Sequence, residues 1–505
     1  MRDRIGLVLA AISTLALASC SAEPRRPNVL WIVWDTVRAD HLGLYGYERD
    51  TTPNLDRWAE GARVFEDCLS TAGYTLPSHA SMFTGLLPSE HCAHNDHPRL
   101  DEEFTTIPEL LRSVGYRTYL YSANPHISNS GGFDQGFDLT EHPWSPRFRE
   151  RALQIVRDKL PEEDRSSELR PRFEGYERGE GGLSAWNIKA AGELAQEAVL
   201  AWLGAEDSDR PFFVFVNYME AHRPLVPPRK YRERMMTPEQ VERSFTVDRS
   251  WLPTWEYTFG LRDYDDQEIE LTRATYDAAL AELDELFGNL LAALEESGSL
   301  EDTIVVLTSE HGEHLGEQHM LDHQYSVYQP LLRVPLVVHY PERFAPGRDA
   351  RPVVSFDLFP TLLELARVEP PAGTPSKAVS LLAPADERVR FAEEPAPARV
   401  PVTMVLQDHE DWDPAPWRRS LRSIVEHDHK LIRGSDGRSE LFDLSTDPRE
   451  TRNLAGGGSP LLERLQQTLG TFTESLRTCE PSGAPPADLT PEQIERLKAL
   501  GYLGG

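Results

Sequence analysis

Three long apolar runs, each ending in carboxylate or imidazole side chains, place the strongest constraint on how this chain can fold. The first, NVLWIVWD, begins at Asn28 and ends at Asp35. The second, PFFVFVNYMEAH, ends at His222, and the third, TIVVLTSEHGE, contains Glu310 and His311. Continuous apolar runs of this kind are typical of strands buried on both faces of a parallel sheet. We therefore predict that each polar group follows the carboxyl end of a central strand.

Helical patterns separate these runs and indicate the fold class. Residues 185–203 and 271–296 repeat apolar side chains at three- and four-residue spacing, and a fourth apolar run, VPLVVHY, begins at Val334. Strands that alternate with helices predict an α/β sandwich with a mostly parallel central sheet flanked by helices. Ligands bind beyond the carboxyl ends of the strands in such sheets. The polar groups that end the three runs are therefore expected to converge at one edge.

The chain is long enough for a second, smaller unit. We assign residues 28–375 to the main domain, 376–480 to a C-terminal α+β subdomain and 481–505 to a tail with a short helix. In the subdomain, SIVEHDHKLIRG and SELFDLSTDP predict two strands around a turn-rich GSDG, followed by a helix over LLERLQQTLGTFTESL. We interpret residues 370–416, rich in proline and alanine, as a connection, and the charged residues 135–182 as a surface insertion.

The first twenty residues have the pattern of an export signal. Arg2 and Arg4 precede an apolar run over residues 5–18 that is too short to span a bilayer. The run ends in LASC, which resembles a bacterial lipobox, so Cys20 is expected to be lipidated and followed by a linker over 21–27. An ordinary cleavage site is the alternative. We expect an exported bacterial lipoprotein held at a membrane, and the serine after the cysteine favours the outer membrane.

Charge and cysteine content limit the partners and the covalent links of this chain. Lysine plus arginine total 52 against 82 for aspartate plus glutamate, giving a net charge of −30 that argues against nucleic acid as a partner. After Cys20 only Cys68, Cys92 and Cys479 remain, so at most one disulfide can form among them.

The segment TLPSHASMFTG, from Thr75 to Gly85, is the most informative short motif. Its early proline and final glycine predict a short helix with Thr75 just before the start. Backbone N–H groups at a helix start bind anions, so Thr75 is placed where a phosphate or sulfate would dock. The alternative is a threonine that only caps a helix or turn.

A threonine hydroxyl is a poor nucleophile and needs a metal or a base. We predict that Asp35, Glu310 and His311, together with Thr75, hold one divalent metal ion, with a second ion possible. These ligand types do not distinguish Mg, Mn, Ca and Zn. Because Thr75 is placed where a phosphate or sulfate would dock, the expected substrate is an anionic ester, a phospho- or sulfo-ester.

Two histidines are candidates for catalysis and substrate contact. His222 follows the second apolar run, and His323 lies in the histidine-rich stretch HGEHLGEQHMLDH. Either can protonate a leaving oxygen or hold a non-bridging one. Histidines that merely face solvent are the alternative.

Several segments, in order, resemble the successive motifs of the sulfatases and their phosphohydrolase relatives in the alkaline phosphatase superfamily. They are RPNVLWIVWDTVRADHLGLYGY, TLPSHASMFTG, PFFVFVNYMEAHRPLVPP, and TSEHGEHLGEQH followed by LLRVPLVV. The resemblance implies an alkaline-phosphatase-like fold. It also implies metal ligands at Asp35, Glu310 and His311 around the nucleophile Thr75.

The same resemblance assigns four residues to the substrate. His222 and His323 match substrate-contacting positions, and Asn124 in YSANPH stands about where sulfatases usually place a lysine. His79 replaces an arginine that sulfatases carry after their nucleophile.

Other departures bear on the chemistry. Sulfatases usually carry a cysteine or serine that is converted to formylglycine, and Thr75 cannot become that aldehyde by the same modification. Thr36 replaces a frequent second aspartate, and Glu310 replaces the usual aspartate. Threonine nucleophiles resemble those of phosphodiesterases, which implies attack of metal-bound Thr75 on phosphorus and a covalent phospho-threonine. The alternatives are sulfate-ester hydrolysis without formylglycine and a non-catalytic lipoprotein that binds envelope glycans or phosphates.

Overall fold

The apolar runs form the centre of an eight-stranded sheet in the computed structural model, which describes residues 25–164, 189, 191–205, 209–370, 376–384 and 387–479. The predicted export signal with Cys20 and the predicted C-terminal tail lie outside these ranges. The strands, in chain order, are β1 Asn28–Trp34, β2 Arg63–Leu69, β3 Arg117–Ser122, β4 Leu139–Glu141, β5 Phe212–Tyr218, β6 Thr303–Thr308, β7 His314–Leu315, β8 Leu321–Asp322, β9 Arg333–His339, β10 Gly347–Val354, β11 Arg390–Glu394, β12 Leu421–Glu426, β13 His429–Gly434 and β14 Ser439–Asp443.

The large sheet is mostly parallel, as predicted. Its spatial order is β10, β2, β9, β6, β1, β5, β3, β4, and β1 lies between β5 and β6 with parallel pairing on both sides. Within this sheet β9, the VPLVVHY run, is the exception, because it pairs antiparallel with both β2 and β6. β7 and β8 form a separate short hairpin.

Helices cover both faces of the sheet. Alternate residues of β1 point to opposite faces, with Leu30 and Ile32 in one apolar cluster and Val29 and Trp31 in the other. The helices are α1 Pro53–Ala59, α2 Thr75–Thr84, α3 Pro88–His91, α4 Ile107–Ser113, α5 Arg149–Lys159, α6 Ala191–Gly204, α7 Arg229–Met235, α8 Pro238–Ser244, α9 Trp251–Thr258, α10 Asp266–Glu296, α11 Gln329–Leu332, α12 Leu358–Leu365, α13 Val400–Asp408 and α14 Pro460–Glu474. Helices α1, α5, α6 and α10 pack on the first face, and α2, α4 and α12 pack on the second.

The C-terminal subdomain is a four-stranded antiparallel sheet, β11 to β14, against which α14 packs. The sequence SIVEHDHKLIRG forms two strands, not the single predicted one, because the chain reverses at His427, whose φ is 54°. The interpretation of residues 370–416 as a connection was wrong for much of its length. That stretch supplies the edge strand β11 and the helix α13.

The interpretation of residues 135–182 as a surface insertion was also wrong for its described part. Helix α5 buries Ala152, Ile155 and Val156 in the apolar cluster on one face of the sheet. These side chains recur at three- or four-residue spacing among charged neighbours, so the periodic signal was weaker than the composition. Residues 165–182 lie outside the described residues.

A disulfide links the two structural units. It joins Cys92, just after α3, to Cys479, just after α14, whereas Cys68 is buried with a free thiol. This agrees with the prediction of at most one disulfide. No helix among the described residues is both long enough and apolar enough to cross a membrane.

Candidate active site

Parallel pairing brings the ends of β1, β5 and β6 to one edge of the sheet. In the register of these strands, Trp34 lies beside Tyr218 and Val33 lies beside Thr308. Asp35 follows β1 directly, His222 comes shortly after β5, and Glu310 and His311 come shortly after β6. The structure therefore brings together the groups that the sequence places at strand ends.

Thr75 joins this edge from the start of α2. The helix begins at Thr75 and ends before Gly85, whose φ of 70° suits a residue without a side chain. Thr75 Oγ1 lies 3.2 Å from His311 Nε2, and the residue is 1% exposed. The N–H groups of Thr75 and Leu76 are at a helix start, where backbone donors have no intrahelical acceptor. A nucleophilic hydroxyl and an anion-binding helix start thus share one buried place.

The residues present fit a divalent cation. One possible ligand atom from each of Asp35, Glu310 and His311 lies within 4.8 Å of the others, and all three side chains are fully buried. Asp35 Oδ1 and Glu310 Oε1 have no hydrogen-bond partner among the described residues. His311 Nδ1 lies 2.8 Å from the carbonyl oxygen of Gly312 and donates to it, which leaves the Nε2 lone pair directed toward the site.

The pKa values of Asp35 and Glu310 also favour a cation at this place. Burial and the neighbouring Asp35 raise the pKa of Glu310 well above its ordinary value. Burial also opposes ionisation of Asp35, but His222, His311 and the hydrogen bond from Asn124 together lower its pKa below its ordinary value. Two buried carboxyl groups in contact cannot both ionise at low cost without a cation between them. The donor set therefore fits a divalent cation.

Two asparagines orient Asp35. Asn124 Nδ2 donates to Asp35 Oδ2 at 2.8 Å and lies 3.5 Å from Thr75 Oγ1. Asn217, in β5, donates to the same Asp35 oxygen at 3.3 Å. Sequence reasoning assigned Asn124 to the substrate and missed Asn217, although Asn217 lies near the end of an apolar run at the same edge. The structure places both beside the candidate metal ligand.

Thr36 does not supply a second acidic ligand. Its hydroxyl donates to the carbonyl oxygen of Asp35, and its own carbonyl accepts from Tyr276. Its φ is 61°, which is unfavourable for a β-branched residue. Backbone strain of this kind persists where the surrounding contacts require it, and here it directly follows Asp35.

His222 is held by its backbone as well as by its ring. Its Nδ1 lies 2.6 Å from the Arg223 carbonyl oxygen and donates to it, so Nε2 is the unprotonated nitrogen of the neutral ring. Burial lowers the pKa of His222 to about 3. Lys189 Nζ donates to the carbonyl oxygens of Met219 and His222 at 2.7 and 2.6 Å, a support that sequence reasoning missed.

His323 has the opposite electrostatic surroundings. Its Nδ1 lies 3.0 Å from Asp322 Oδ1 and 3.5 Å from Glu313 Oε2. Burial alone would lower the pKa of His323, but these two carboxylates raise it to about 10. The rings of His323 and His222 are 5.1 Å apart, and those of His323 and His311 are 4.8 Å apart. A protonated and a neutral imidazole therefore meet beside the candidate metal site.

Glu313, Asp322 and His323 also meet the spacing of a second cation site. Asp322 Oδ2 already lies 3.1 Å from Arg223 Nη1 and accepts a hydrogen bond from Trp255. Arg223 and a protonated His323 supply opposite charge to the two carboxylates, so the charge of this group is balanced by ion pairs within the described residues.

His79 lies beneath Thr75. Its Nδ1 is 3.0 Å from the carbonyl oxygen of Thr75, and its ring makes edge contacts with Phe133 and Phe215. Burial lowers the pKa of His79 to about 4, so the ring is neutral. Its Nε2 has no partner among the described residues. These contacts support the helix start, whereas the sequence predicted contact with substrate.

Family models match the chain in two overlapping segments. A model described as Sulfatase matches residues 27–368. A second model, described as N-sulphoglucosamine sulphohydrolase, C-terminal, matches residues 316–477.

Curated relatives extend over nearly the whole chain. An N-acetylglucosamine-6-O-sulfatase of Bacteroides thetaiotaomicron is 23% identical over 94% of this chain and 92% of the relative. The multifunctional alkaline phosphatase superfamily protein PehA of Trinickia caryophylli is 26% identical over 85% of this chain and 91% of the relative.

Solved structures share the fold. A phosphonate monoester hydrolase from Silicibacter pomeroyi superposes with a TM-score of 0.67 at 22% identity, covering 90% of this chain and 96% of that one. A second solved structure, of a protein in complex with its substrate D-glucosamine-2-N,6-O-disulfate, superposes with a TM-score of 0.66 at 20% identity. The match covers 91% of this chain and all of that protein's chain.

Proposed function

From the premise that this chain belongs to the sulfatase family, we propose that it is a metal-dependent hydrolase or transferase of an anionic ester, with Thr75 as its nucleophile. We propose a phosphodiester or phosphomonoester as the substrate. The observation that carries the proposal is the position of Thr75 Oγ1 at a helix start, 3.2 Å from His311 Nε2 and beside two buried carboxyl groups.

The metal would be held by Asp35, Glu310 and His311 with Thr75. When bound, a divalent cation would balance the two carboxylates and lower the pKa of a nearby hydroxyl. Mg, Mn, Ca and Zn all suit these ligand types. We propose a single ion, because Arg223 and His323 already balance the charge of the other acidic pair, Glu313 and Asp322.

In the proposed first step, Thr75 Oγ1 gives up its proton to a water molecule and attacks phosphorus, and the bond from phosphorus to the alcohol oxygen breaks. The N–H groups of Thr75 and Leu76 donate to the non-bridging oxygen that gains charge. His323 Nε2 donates a proton to the departing alcohol, because Nδ1 faces the carboxylates of Asp322 and Glu313.

In the second step, water or an acceptor alcohol attacks phosphorus, the bond from phosphorus to Thr75 Oγ1 breaks, and Thr75 Oγ1 takes up a proton from a water molecule. The unprotonated Nε2 of His222 can accept the proton of the attacking water, since Nδ1 donates to the Arg223 carbonyl. Asn124 holds Asp35 and reaches Thr75 Oγ1 at 3.5 Å throughout.

Sulfate-ester hydrolysis is the second candidate, and the N-acetylglucosamine-6-O-sulfatase relative favours it. It would require direct attack by Thr75 on sulfur, without formylglycine. Thr75 is the reason for preferring phosphorus, since the usual modification cannot act on it. The non-catalytic alternative has no such support, because the matching relatives are ester hydrolases.

The test compares aryl phosphodiester, phosphomonoester, phosphonate and sulfate esters on wild type and Thr75→Ala. A matched control is Thr84→Ala at the other end of α2, where the hydroxyl donates to the Ala80 carbonyl and accepts from the Leu86 N–H, away from the site. We expect phosphorus esters to be the best substrates, Thr75→Ala to be inactive and Thr84→Ala to be active. Fastest turnover of the sulfate ester would reject the substrate class, and an active Thr75→Ala would reject the nucleophile.

Metal analysis tests the ligands independently. Purified wild type is expected to contain about one divalent ion per chain, and Asp35→Ala is expected to lose both the ion and the activity. An Asp35→Ala protein that retained the ion would contradict the ligand assignment.

We propose further that the protein is an exported bacterial lipoprotein, anchored through Cys20 at the outer membrane and facing either the periplasm or the cell surface. Support comes from the LASC sequence at its expected place and from the Cys92–Cys479 disulfide, which suits an oxidising compartment. Metabolic labelling with a radioactive fatty acid should mark wild type and not Cys20→Ala. Equal labelling of both proteins would contradict the anchor.

A further inference from the structure

A small cavity lies behind the two candidate catalytic histidines. Its lining includes Arg223, which directly follows His222, and Asp322, which directly precedes His323. The cavity volume is about 40 Å³. One water needs roughly 10–15 Å³ by this measure, so a group of two or three heavy atoms fits.

Arg232, on α7, is the unusual member of the lining. It is 2% exposed, and its guanidinium donates only to neutral acceptors, the carbonyl oxygen of Pro227 at 2.9 Å and Ser244 Oγ at 2.7 Å. No carboxylate among the described residues bonds to it. Asp164, which is near this part of α7, bonds to Arg229 instead.

A second cation makes the position of Arg232 less favourable. Arg249 also lines the cavity, and its Nη2 donates to the carbonyl oxygen of Ser244, the residue whose hydroxyl Arg232 binds. Burial and Arg249 lower the pKa of Arg232 to about 9. Asp164 and Glu282 oppose this shift without bonding to Arg232, so an anion in direct contact with its buried guanidinium would be favoured.

Asp322, an acidic group of the lining, is already engaged. It forms an ion pair with Arg223 at 3.1 Å and accepts hydrogen bonds from Trp255 Nε1 and from the backbone N–H of His323. Glu313 lies 3.5 Å from the His323 ring, and neither of its oxygens has a hydrogen-bond partner among the described residues. Much of the remaining lining is apolar, including Leu225, Val247 and Leu321, which strengthens electrostatic attraction inside the cavity.

We infer that this cavity binds a small anion of carboxylate size against the guanidinium of Arg232. The anion comes either from solution or from a carboxylate substituent on the alcohol part of the substrate, since the cavity is lined by Asp322 and Glu313, which hold His323, the histidine assigned to the leaving group. Binding of a free anion does not rest on the proposed function, whereas binding of a substrate carboxylate does.

The first experiment needs no turnover. Thermal unfolding of wild type, Arg232→Met and Arg229→Met is followed while sodium formate is added at constant ionic strength. Arg229 lies one turn earlier on α7 and does not line the cavity, so Arg229→Met is the matched control. We expect a saturable rise in Tm for wild type and the control and none for Arg232→Met. An equal rise in all three proteins would overturn the inference.

The second experiment distinguishes the two sources. KM is measured for two aryl phosphate esters that differ only in a carboxylate on the aryl group. If the substrate supplies the anion, Arg232→Met raises KM for the carboxylated ester by about tenfold and leaves the neutral ester unchanged. If formate binds while the two KM values keep their ratio, the anion is a free one.

A third measurement does not depend on any variant. Crystals of wild type soaked in sodium bromide should show an anomalous peak beside the Arg232 guanidinium. Water alone in the cavity, with no peak, would overturn the inference even if Arg232→Met failed to fold.

Discussion

Replacing Asn124 with alanine tests the candidate metal site through a residue that is not itself a predicted metal ligand. In the structure Asn124 Nδ2 donates to Asp35 Oδ2 at 2.8 Å, while its Oδ1 accepts from the backbone N–H of His126 at 2.9 Å. Removing the amide frees one oxygen of Asp35 to rotate. It leaves Asn217, at 3.3 Å, as the remaining side-chain donor to that oxygen.

The magnitude follows from the lost hydrogen bond. A buried hydrogen bond to a charged group contributes about 1.5–3 kcal/mol, which corresponds to about 10- to 150-fold in affinity. Groups that orient metal ligands typically change affinity by about 10- to 100-fold when removed. We therefore expect Asn124→Ala to weaken metal binding by about 10- to 100-fold. Asn217→Ala should have a smaller effect, because its bond to Asp35 is longer.

The assay is a competition titration. Metal-free wild type, Asn124→Ala and Asn217→Ala are titrated with Mn²⁺ and Zn²⁺ against a chromophoric chelator, and thermal unfolding of each metal-free protein checks that it is folded. Unchanged affinity in a folded Asn124→Ala protein would refute the reasoning. So would a larger loss in Asn217→Ala than in Asn124→Ala.

Three further predictions concern stability. Reducing the Cys92–Cys479 disulfide, which closes a loop of 387 residues, should lower the free energy of unfolding by about 2–4 kcal/mol, measured by urea denaturation with and without reductant. Lys430→Met should cost about 3–5 kcal/mol, because the buried carboxylate of Glu450, now paired with Lys430 at 2.6 Å, keeps only the Gln329 N–H and loses its opposite charge. Adding Glu450→Gln should recover part of the loss. Burial lowers the pKa of His91 to about 3, so its contribution to stability is lost as pH falls from about 6.5 toward 3. His91→Gln should remove about 1.4 kcal/mol per pH unit of that slope, and an unchanged slope would contradict the assignment.

Local patterns were sufficient for the elements that carry the site. Strands β1, β5 and β6 are continuous apolar runs, and their parallel pairing explains why Asp35 and Glu310 share an edge. Helix α2 was predicted from its proline and glycine. These signals are local in sequence, since they depend on residue type and spacing over about ten positions.

Other features depended on long-range packing. The antiparallel direction of β9 follows from its pairing with β2 and β6, and no local pattern specifies strand direction. Helix α5 was missed because its apolar residues are outnumbered by charged ones. The turn at His427 was missed because HDH lacks the glycine or proline that usually indicates a reversal.

The sequence alone determined which chemical groups this protein can use, because nucleophile, carboxylates and imidazoles are properties of residue type. It also determined that they lie at strand and helix ends. Only the tertiary structure decided which groups meet and in what state, such as His323 between two carboxylates and Arg232 without one. The physical reason is that ionisation and ligation depend on burial and on neighbours distant in sequence, and these are set when the sheet and its helices pack.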